Sequence, residues 1–389
     1  MRILAINSGS SSLKFALYDV DSDEEQVLSG NLSGIGQPES RFRVRREDDR
    51  TLVDERIALP DPREAVAHVL GWLEDNGFGR TLEAVGHRIV HGGQQFVRPI
   101  LVTAEVMEGL AAVSSIDPEH MPRAIAVVRS AQRTFPHIPH VLCFDTAFHR
   151  EMPAVARTIP VPRSLREEGL VRYGFHGLSY EYLVEKLGPD AQGRRIVIAH
   201  LGNGASMVAV RNGRSVETTM GFSPTGGLVM STRSGDLDPS VVLYLLRQKR
   251  MNASEITALL NKQSGLLGVS GLSSDMQELQ SKTDEDAHAA LAVELFCYRT
   301  RQALGGLVVA LGGLDLLIFT GGIGENAPTI RRCICDGLQF LGVGLDDKRN
   351  DSGATLISAD NSPVEIRVLK TNEELMIARH TFRLIGRAD

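Results

Sequence analysis

With 389 residues, the chain is about twice as long as the commonest single domain, so two domains with separate cores are expected. Hydrophobic residues make up 42% of the sequence and charged residues 23%, which is typical of a compact globular protein and excludes a disordered or fibrous chain. The 48 acidic residues exceed the 42 basic ones, and the net charge of -6 gives no electrostatic basis for binding nucleic acid or an anionic membrane.

The N-terminal segment MRILAINSGS does not have the pattern of a secretion signal, because it has one basic residue and a short apolar run. No segment approaches the roughly 18 apolar residues of a membrane span. The four cysteines, Cys143, Cys297, Cys333 and Cys335, are few for this length and fit a reducing compartment. The sequence therefore predicts a cytoplasmic protein.

A similar strand-turn-strand pattern occurs near the start of each half of the chain. Residues 2–17 (RILAINSGSSSLKFAL) align without a gap with residues 195–210 (RIVIAHLGNGASMVAV), with Gly9 over Gly202 and Ala16 over Ala209. The offset is close to half the chain length, which indicates a duplicated unit. Because strand-turn-strand is a common motif, a chance match is the alternative.

Further elements can be predicted along the first half. The basic stretch RFRVRREDDR (41–50) alternates with Phe42 and Val44, which is typical of a half-buried strand at the solvated edge of a hairpin. Asp61 and Pro62 supply an N-cap and a first-turn proline for a helix that ends near Gly77.

In the second half, residues 289–311 predict a long buried helix, followed by the buried strand LDLLIFT (314–320). Helical spacing resumes in PTIRRCICDGLQFLG (328–342). Near the C-terminus, a strand leads into TNEELMIARHTF, where Thr371 and Glu374 have the spacing of a capping box that would start the final helix. Alternating strands and helices predict layered α/β domains.

Three glycine-rich segments are candidates for binding phosphate: NSGSSSLK (7–14), HLGNGAS (200–206) and GGIGEN (321–326). Glycines in turns between strands let backbone N–H groups approach phosphate oxygens closely. The segments do not have the spacing of a Walker A loop or of a dinucleotide fingerprint. One such turn alone is more often a tight hairpin, but three together favour a phosphate site.

Seven motifs occur in an order that resembles the acetate kinase family across nearly the whole chain. They are NSGSSSLK, GHRIVHGG (86–93), FDTAFH (144–149), RYGFHG (172–177), HLGNG, MSTRSGDLDP (230–239) and TNEEL (371–375). The resemblance implies an α/β fold of two duplicated actin-like (ribonuclease H-like) domains around a nucleotide cleft. The expected domains are 1–150, to which the C-terminal helix 372–389 is a candidate to return, and a nucleotide-binding domain, 151–371.

The resemblance also implies a reaction. The expected activity is reversible, Mg²⁺-dependent transfer of the γ-phosphoryl group of ATP to acetate by direct in-line displacement, giving acetyl phosphate and ADP. Mn²⁺ is an alternative metal, and a homodimer is the expected assembly. Propionate or butyrate kinase remains open as an alternative, and so does an ATP-driven conformational protein of the Hsp70 or actin type, in which Arg88, His176 and Arg233 would have no purpose.

The same resemblance assigns the nucleotide site. The phosphates would lie against Lys14 and the turn at 200–204, with GGIGEN nearer the adenosine. The matching residues are Lys14, His200, Leu201, Gly202, Asn203, Gly204, Asp275, Gln277, Gly322, Ile323, Gly324, Glu325 and Asn326.

Catalytic and metal-binding residues follow from the family as well. The residues matching its catalytic positions are Arg88, Asp145, His176 and Arg233. Cationic donors are needed because negative charge spreads over the oxygens of the transferred group. A carboxylate substrate needs no general base, so Asp145 is expected to orient an arginine or to help hold the metal.

The metal ligands implied by the resemblance are Asn7 and Glu373. Glu374 is assigned to the capping box, which leaves Glu373 for the metal. Asp238 is predicted to be a helix N-cap. Asp236 remains open between a catalytic and a structural role, of which the structural role is favoured.

The resemblance implies an apolar pocket for the acyl group formed by Val90, Phe175 and Pro224, with Arg88 as a further substrate-binding residue. In PEHMP (118–122) this chain has Glu119 where the family often has leucine. A carboxylate facing a methyl group would be unfavourable, so either Glu119 points away or the pocket differs. Near the adenosine, Gln277 stands where the family often has arginine.

Overall fold

The computed structural model of the chain describes residues 1–9, 12–20, 24–59, 61–114 and 116–386. Ser10 and Ser11 of the first glycine-rich turn, and residues 387–389 of the predicted C-terminal helix, lie outside the described residues. The chain divides into two compact units. Unit 1 comprises Met1–Ala147, Gly177–Tyr182 and Asn372–Asp389, and unit 2 comprises Phe148–His176 and Leu183–Thr371.

Strands and helices alternate along both units. The strands are β1 (Arg2–Ser8), β2 (Ser12–Asp19), β3 (Glu25–Ser33), β4 (Ser40–Arg46), β5 (Thr51–Ile57), β6 (Ala84–Ile89), β7 (Ile100–Leu101), β8 (His140–Phe144), β9 (Arg195–Leu201), β10 (Ala205–Arg211), β11 (Arg214–Thr218), β12 (Leu316–Thr320) and β13 (Glu365–Val368). The α-helices are α1 (Pro62–Asp75), α2 (Ala104–Val113), α3 (Met121–Thr134), α4 (Ala154–Arg157), α5 (Arg163–Glu167), α6 (Gly177–Leu187), α7 (Pro239–Arg247), α8 (Ala253–Lys262), α9 (Gly265–Ser270), α10 (Met276–Gln280), α11 (Ala287–Leu311), α12 (Gly321–Asn326), α13 (Pro328–Cys335), α14 (Asp347–Asp351) and α15 (Glu373–Ile385). Within the part of the chain that the structure describes, none of these helices has the length and apolar character of a membrane span.

Both sheets contain the same arrangement of five strands. The eight-stranded sheet of unit 1 has the order β5-β4-β3-β2-β1-β6-β8-β7, and the sheet of unit 2 has the order β11-β10-β9-β12-β13. In each set, the first three strands (β3-β2-β1 or β11-β10-β9) are antiparallel, and the next two run parallel to β1 or β9. The aligned segments 2–17 and 195–210 are equivalent hairpins in this order, so the predicted duplication is confirmed.

The sheet of unit 1 is covered by helices on both faces. Because successive strand residues point to opposite faces, Leu4 packs with α1 and α3, whereas Ile3 packs with α15. The approach of α15 is close at β6, where a Cβ on Gly86 would lie 2.3 Å from Thr381 Oγ1 and 2.6 Å from Ile377 Cγ2. Glycine at this position therefore allows α15 to pack directly on the sheet.

The basic stretch at 41–50 forms the predicted hairpin. Strands β4 and β5 pair antiparallel, and β5 is the edge strand of the sheet. Phe42 and Val44 are buried, while Arg41 and Arg43 both bond the exposed Asp54 on the other face. The alternation of apolar and basic residues thus corresponds to a half-buried edge hairpin, as expected.

Two predicted helix starts are confirmed by their caps. The Asp61 side chain accepts a hydrogen bond from Arg63 N at 2.7 Å to begin α1, which is followed by Gly77 in the left-handed region (φ 80°). Asp238 likewise accepts from Ser240 N at 2.7 Å to begin α7. Each carboxylate satisfies a backbone donor that the helix leaves without an internal partner.

The long helix and the buried strand predicted in the second half are also present. Helix α11 is capped by Asp286, packs against β9, β10 and β11, and ends at Gly312 (φ 73°). Strand β12, which follows it, is buried at every position between β9 and β13. A strand with parallel neighbours on both sides is covered on both faces, which explains its uninterrupted apolar sequence.

Candidate active site

In unit 1, three candidate residues come from adjacent parallel strands. Asn7 lies near the end of β1, Arg88 near the end of β6, and Asp145 directly follows β8. Strands β1, β6 and β8 are neighbours and run in the same direction. Their carboxyl ends therefore share one edge of the sheet, which is where open α/β sheets bind ligands.

Arg88 and Asp145 form an ion pair at this edge, in which the carboxylate is buried and the guanidinium is partly exposed. Asp145 is 0% exposed, and its Oδ2 accepts from Arg88 Nη2 at 2.5 Å and from Arg88 Nε at 3.0 Å. Burial raises the pKa of Asp145, and the Arg88 guanidinium opposes that shift. Burial also opposes the charge on Arg88, but Asp145, Glu373 and Glu374 together raise the pKa of Arg88. Because Asp145 accepts two charge-assisted bonds from a permanent cation, it acts as a carboxylate that fixes the plane of the Arg88 guanidinium.

Asn7 links this pair to the first turn of α15. Its Oδ1 accepts from Arg88 Nη1 at 3.2 Å, and its Nδ2 donates to Glu373 at 2.8 Å and to Glu374 at 2.9 Å. The five side chains Asn7, Arg88, Asp145, Glu373 and Glu374 carry three carboxylates and one guanidinium, an excess of two negative charges. We call these five residues the acidic cluster. Its excess charge and oxygen donors suit a divalent cation such as Mg²⁺.

The predicted capping box at the start of this helix is wrong. The N-cap is Asn372, whose side chain accepts from Leu375 N at 2.9 Å, and Thr371 does not cap α15. Glu373 and Glu374 then occupy the first two helical positions, where carboxylates favour the helix dipole. Glu374 is therefore not the capping residue that was predicted. Glu374 belongs to the acidic cluster. Asn372 is also a common N-cap residue, and a helix that starts after Asn372 leaves both Glu373 and Glu374 available to the cluster.

Within the described residues, no group of three or more His, Cys, Asp and Glu side chains is arranged to hold a metal by protein ligands alone. Mg²⁺ characteristically takes one or two carboxylates together with water and substrate phosphate. The two glutamates of the acidic cluster can supply those ligands. The Asn7 amide presents its NH₂ group to the glutamates and its oxygen to Arg88, so in this arrangement Asn7 orients the glutamates.

Lys14 and Val90 lie near members of the acidic cluster, Lys14 in the strand register and Val90 in the sequence. Lys14 is exposed on β2, directly opposite Asn7 in the β1–β2 register. Val90 follows β6 and is 7% exposed. In the segment 118–122, Glu119 is partly exposed, and the nearby buried acid is Asp117, which bonds His120 Nδ1 at 2.9 Å. The Asp117–His120 pair was not predicted from the sequence.

In unit 2, His176 and Arg233 converge on the turn between β9 and β10. The turn is closed by a bond of 3.1 Å from Gly202 N to Gly204 O. A Cβ on Gly204 would lie 3.2 Å from His176 Nε2 and 3.6 Å from Arg233 Nη1. The His176 ring stacks on His200 with centroids 4.4 Å apart, and its Nδ1 lies 2.8 Å from Ser206 Oγ. The RYGFHG, HLGNG and MSTRS motifs thus meet at one point.

The surroundings of this turn involve its other predicted residues. Leu201 is buried in β9, and the carbonyl of Asn203 accepts from Ser231 N at 3.2 Å. Arg233 Nη1 donates to the carbonyl of Pro224 at 3.2 Å, so Pro224 positions this arginine. Phe175 is 1% exposed and immediately precedes His176.

GGIGEN is helical, which corrects the expectation of a turn between strands. Helix α12 (Gly321–Asn326) starts directly at the end of β12. Its first residue has φ 78°, and a Cβ there would lie 2.7 Å from Leu201 O, so glycine permits contact with β9. A Cβ on Gly202 would lie 3.7 Å from Gly322 N, which places the start of α12 beside the β9–β10 turn. The glycines let a strand pass straight into a helix.

Side-chain bonds within α12 differ among its predicted residues. Glu325 Oε1 accepts from Gly321 N at 3.0 Å and from Thr320 Oγ1 at 3.2 Å, so this carboxylate caps its own helix. Asn326 Nδ2 donates to Gly322 O at 2.9 Å and is exposed, as is Gly322. Ile323 is partly exposed and Gly324 is buried.

Asp275 and Gln277 lie at the start of α10. The Asp275 side chain accepts from Gln277 N at 2.7 Å and from Glu278 N at 3.0 Å, and both Asp275 and Gln277 are exposed. Asp275 therefore acts as a helix cap in this structure. Asp236 also has the structural role expected of it, because its Oδ1 accepts from Gly227 N at 2.7 Å.

Comparisons with known proteins give matches over the full length of the chain. A sequence model of the acetokinase family matches residues 2–379. The chain is 47% identical to the acetate kinase of Rhodopseudomonas palustris, over 98% of both chains. It is similar to the crystal structure of a propionate kinase from Francisella tularensis, with a TM-score of 0.91 and 37% identity over 98% of this chain and 99% of that one. The acetate kinase from Porphyromonas gingivalis gives a TM-score of 0.87 at 35% identity, over 99% of both.

Proposed function

This chain belongs to the acetokinase family, and we propose that it transfers the γ-phosphoryl group of ATP reversibly to acetate, giving acetyl phosphate and ADP. The family consists of kinases with a carboxylate as phosphoryl acceptor. The observation that carries the assignment to this site is Arg88, whose side chain is only 13% exposed. Its guanidinium is held in one plane by Asp145 at the carboxyl edge of the unit 1 sheet. A planar cation suits both a carboxylate and a phosphoryl group.

The residues around Gly204 are proposed to bind the nucleotide phosphates. His176 and Arg233 converge there, beside backbone N–H groups of a glycine turn and the start of α12. Arg233 is fixed by the Pro224 carbonyl and His176 by Ser206, so both donors are positioned before substrate binds. Preorganised donors stabilise charge that develops on the transferred group. Lys14, Asp275 and Gln277 stay in this proposal as further nucleotide contacts, on the family resemblance alone.

The acidic cluster is proposed to hold Mg²⁺ through Glu373 and Glu374, with Asn7 and Asp145 orienting their neighbours. A bound Mg²⁺ would neutralise and align phosphate oxygens. Asn7 joins the two glutamates to Arg88, so cation binding and substrate orientation depend on the same amide. Val90 and Phe175 are proposed as the apolar contacts of the acyl group.

In the forward reaction, a carboxylate oxygen of acetate forms a bond to the γ-phosphorus as the bond from that phosphorus to the bridging oxygen of ADP breaks. The acceptor is already ionised at neutral pH, so no proton has to be removed. Arg88, His176 and Arg233 are proposed to compensate the charge on the transferred group. Catalysis then depends on position and charge, and not on a general base.

The proposal is tested by comparing ATP consumption with formate, acetate, propionate and butyrate, ranked by kcat/KM. Acetate should rank first, and chelation of the metal with EDTA should abolish turnover. Arg88→Ala should lower kcat by about a hundredfold or more, because it removes a donor to the transferred group. The matched control is Arg45→Ala, an exposed arginine on β4 of the same sheet, which should retain activity.

Two other outcomes would change the proposal. A preference for propionate over acetate would make the chain a propionate kinase of the same family. ATP binding without phosphorylation of any of the four carboxylates would sink the enzyme assignment.

We further propose a cytoplasmic homodimer. All four cysteines are thiols, which suits a reducing compartment. Helix α7 has no buried residue, although its sequence is largely apolar. Leu243, Tyr244 and Leu246 are 44%, 52% and 42% exposed. Contiguous exposed apolar residues on a helix are typical of a protein interface. A second copy of this chain is the partner that the family resemblance implies.

A further inference from the structure

A buried histidine outside the predicted site contacts the backbone next to His176. His149 is 1% exposed, and its Nε2 lies 3.0 Å from the carbonyl oxygen of Phe175, while its Nδ1 lies 2.8 Å from Ser215 Oγ. A carbonyl can only accept, so Nε2 carries the hydrogen and Nδ1 accepts from the Ser215 hydroxyl. Burial lowers the pKa of His149 to about 4, which keeps this neutral tautomer at pH 7.

The chain before His176 folds over the His149 ring. Gly174 has φ 75°, and a Cβ on it would lie 2.7 Å from Cγ and Cδ2 of His149 and 2.7 Å from Thr218 Cγ2. Only a residue without a side chain allows this approach. The His149 ring therefore packs directly against the backbone at Gly174, and its Nε2–H group donates to the carbonyl of Phe175.

That carbonyl belongs to the peptide group that sets the backbone of His176. His176 has φ 58°, in the left-handed region, which is strained for a residue with a Cβ. A backbone in this region persists only where surrounding contacts hold it. On one side of His176 the Phe175 carbonyl is bonded to His149, and on the other the imidazole Nδ1 is bonded to Ser206.

We propose that His149 is a positioning residue for His176. It holds the Phe175 carbonyl, and through it the left-handed backbone that directs the His176 imidazole toward Gly204 and His200. Without the bond, the Phe175–His176 peptide group can rotate, His176 relaxes to a negative φ, and its ring leaves the β9–β10 turn. The proposal rests on the proposed function, because that function assigns His176 to phosphoryl transfer.

Two amide substitutions separate the two bonds of His149. The amide of His149→Gln reaches the place of Nε2 and can still donate to the Phe175 carbonyl. The amide of His149→Asn reaches the place of Nδ1, so this variant retains Ser215 and loses Phe175. We expect His149→Asn to lower kcat about a hundredfold, as misplacement of a catalytic group does, with a much smaller change in the KM for ATP. His149→Gln should remain within about tenfold of the native kcat.

The matched control is His140→Asn. His140 is also a buried histidine whose Nε2 bonds a backbone carbonyl, that of Phe135 at 3.1 Å, but it does not contact the His176 segment. It should lower stability as His149→Asn does while retaining kcat. Equal losses of kcat in His140→Asn and His149→Asn would overturn the proposal, because they would indicate a general effect of destabilisation.

A second readout does not depend on turnover. In protein labelled with ¹⁵N-histidine, the ring signals of His176, assigned from the His176→Gln spectrum, should shift in His149→Asn and stay near their native positions in His149→Gln. Unchanged His176 signals in His149→Asn would refute the positioning role. If the native chain phosphorylates no carboxylate, the proposed function fails, and these signals still decide whether His149 positions His176. If His149→Asn does not fold, His149→Leu replaces it, because leucine fills similar space and cannot donate to the Phe175 carbonyl. Retention of both kcat and the His176 signals in that variant overturns the proposal.

Discussion

Three buried histidines carry no charge at neutral pH. His87 Nε2 lies 3.0 Å from His140 Nδ1, and His140 Nε2 lies 3.1 Å from the Phe135 carbonyl, so the pair forms a directed chain of hydrogen bonds in unit 1. Burial lowers the pKa of both residues, with the neighbouring ring adding to the effect at His87. His149 is the third, in unit 2, with a pKa of about 4. Protonation of any of them requires a buried charge or local opening.

These pKa shifts predict a loss of stability in mild acid. Below the ordinary histidine pKa of 6.5 the unfolded chain binds protons, whereas the folded chain does not until the pH approaches the lowered value. The free energy of unfolding should therefore fall as the pH drops from 6.5 towards 4. For His149 alone, the loss between pH 7.5 and 5 is about 2 kcal/mol. Urea titrations at the two pH values measure it.

A pair of substitutions isolates this effect. His149→Gln should reduce the difference between the two pH values, and His137→Gln, at an exposed position, should leave it unchanged. An identical pH dependence in His149→Gln and the native chain would contradict the assignment to buried histidine.

At the residue level, the sequence predicted several residues of the candidate site but not which of their atoms form the hydrogen bonds there. Arg88 and Asp145 were expected together from the family resemblance, and the structure places Arg88 near the end of β6 and Asp145 directly after β8. Spacing alone could not show which of Glu373 and Glu374 faces the acidic cluster. Thr371 and Asn372 are both favourable N-cap residues, and moving the cap by one residue changes the helical position of every residue that follows. His149 was not predicted, since only folding brings it under Phe175.

At the level of elements, the packing of α15 on β6 connects the sheet to the acidic cluster. Gly86 leaves room for Ile377 and Thr381, and the same helix carries Glu373 and Glu374 in its first turn. Its N-cap Asn372 is held in turn by Tyr18, whose hydroxyl lies 3.1 Å from Asn372 Oδ1. The position of the glutamates therefore depends on how closely this helix approaches the strands.

We expect Gly86→Ala to push α15 away from β6. The added methyl group would meet Thr381 and Ile377 below normal contact distance, so the variant should lose about 1–3 kcal/mol of unfolding free energy, together with part of its activity. Equilibrium unfolding in urea measures the loss.

The control for this packing effect is Gly71→Ala in α1. No atom lies within 4 Å of the added methyl position, and alanine favours a helix interior, so stability should rise by up to about 1 kcal/mol. A Gly86→Ala variant as stable as the native chain would show that the helix can adjust without penalty.

Element boundaries were predictable wherever one signal dominated. The caps Asp61 and Asp238 stood alone before a proline, and the long run at 289–311 admitted only a helix. GGIGEN was misassigned because glycine clusters serve turns and strand-to-helix junctions equally well. The contact of Gly321 with Leu201 decides between them, and that contact lies 120 residues away in the chain.

At the level of the whole molecule, the duplication could be inferred from one gap-free alignment, but the common strand order could not. The matched hairpins supply only two of the five shared strands in each sheet. The third strand follows the hairpin directly in both units, whereas the last two strands are reached through helices that differ in number and length between the units. Their equivalence follows from pairing direction, which single-sequence patterns do not contain.

The proposed homodimer gives a test at this level. Leu243→Glu would place a charge on the exposed apolar face of α7, so we expect the dimer to dissociate to monomers in sedimentation velocity. Val155→Glu is the control, because Val155 is 85% exposed on α4, and this variant should sediment as the native chain does. A native chain that is monomeric at micromolar concentration would refute the proposed assembly.

Unit 1 is assembled from segments at both ends of the sequence, and this has a consequence for its biosynthesis. Its β1 and β6 leave the ribosome early, but the helix that covers them is translated after the whole of unit 2. Until then, the sheet face around Ile3 and Ala84 lacks its covering helix, whereas all the strands of unit 2 have already been synthesised. Because Glu373 and Glu374 lie in the same helix, a nascent chain that lacks α15 cannot form the acidic cluster, and synthesis of α15 completes this core and the proposed metal site together.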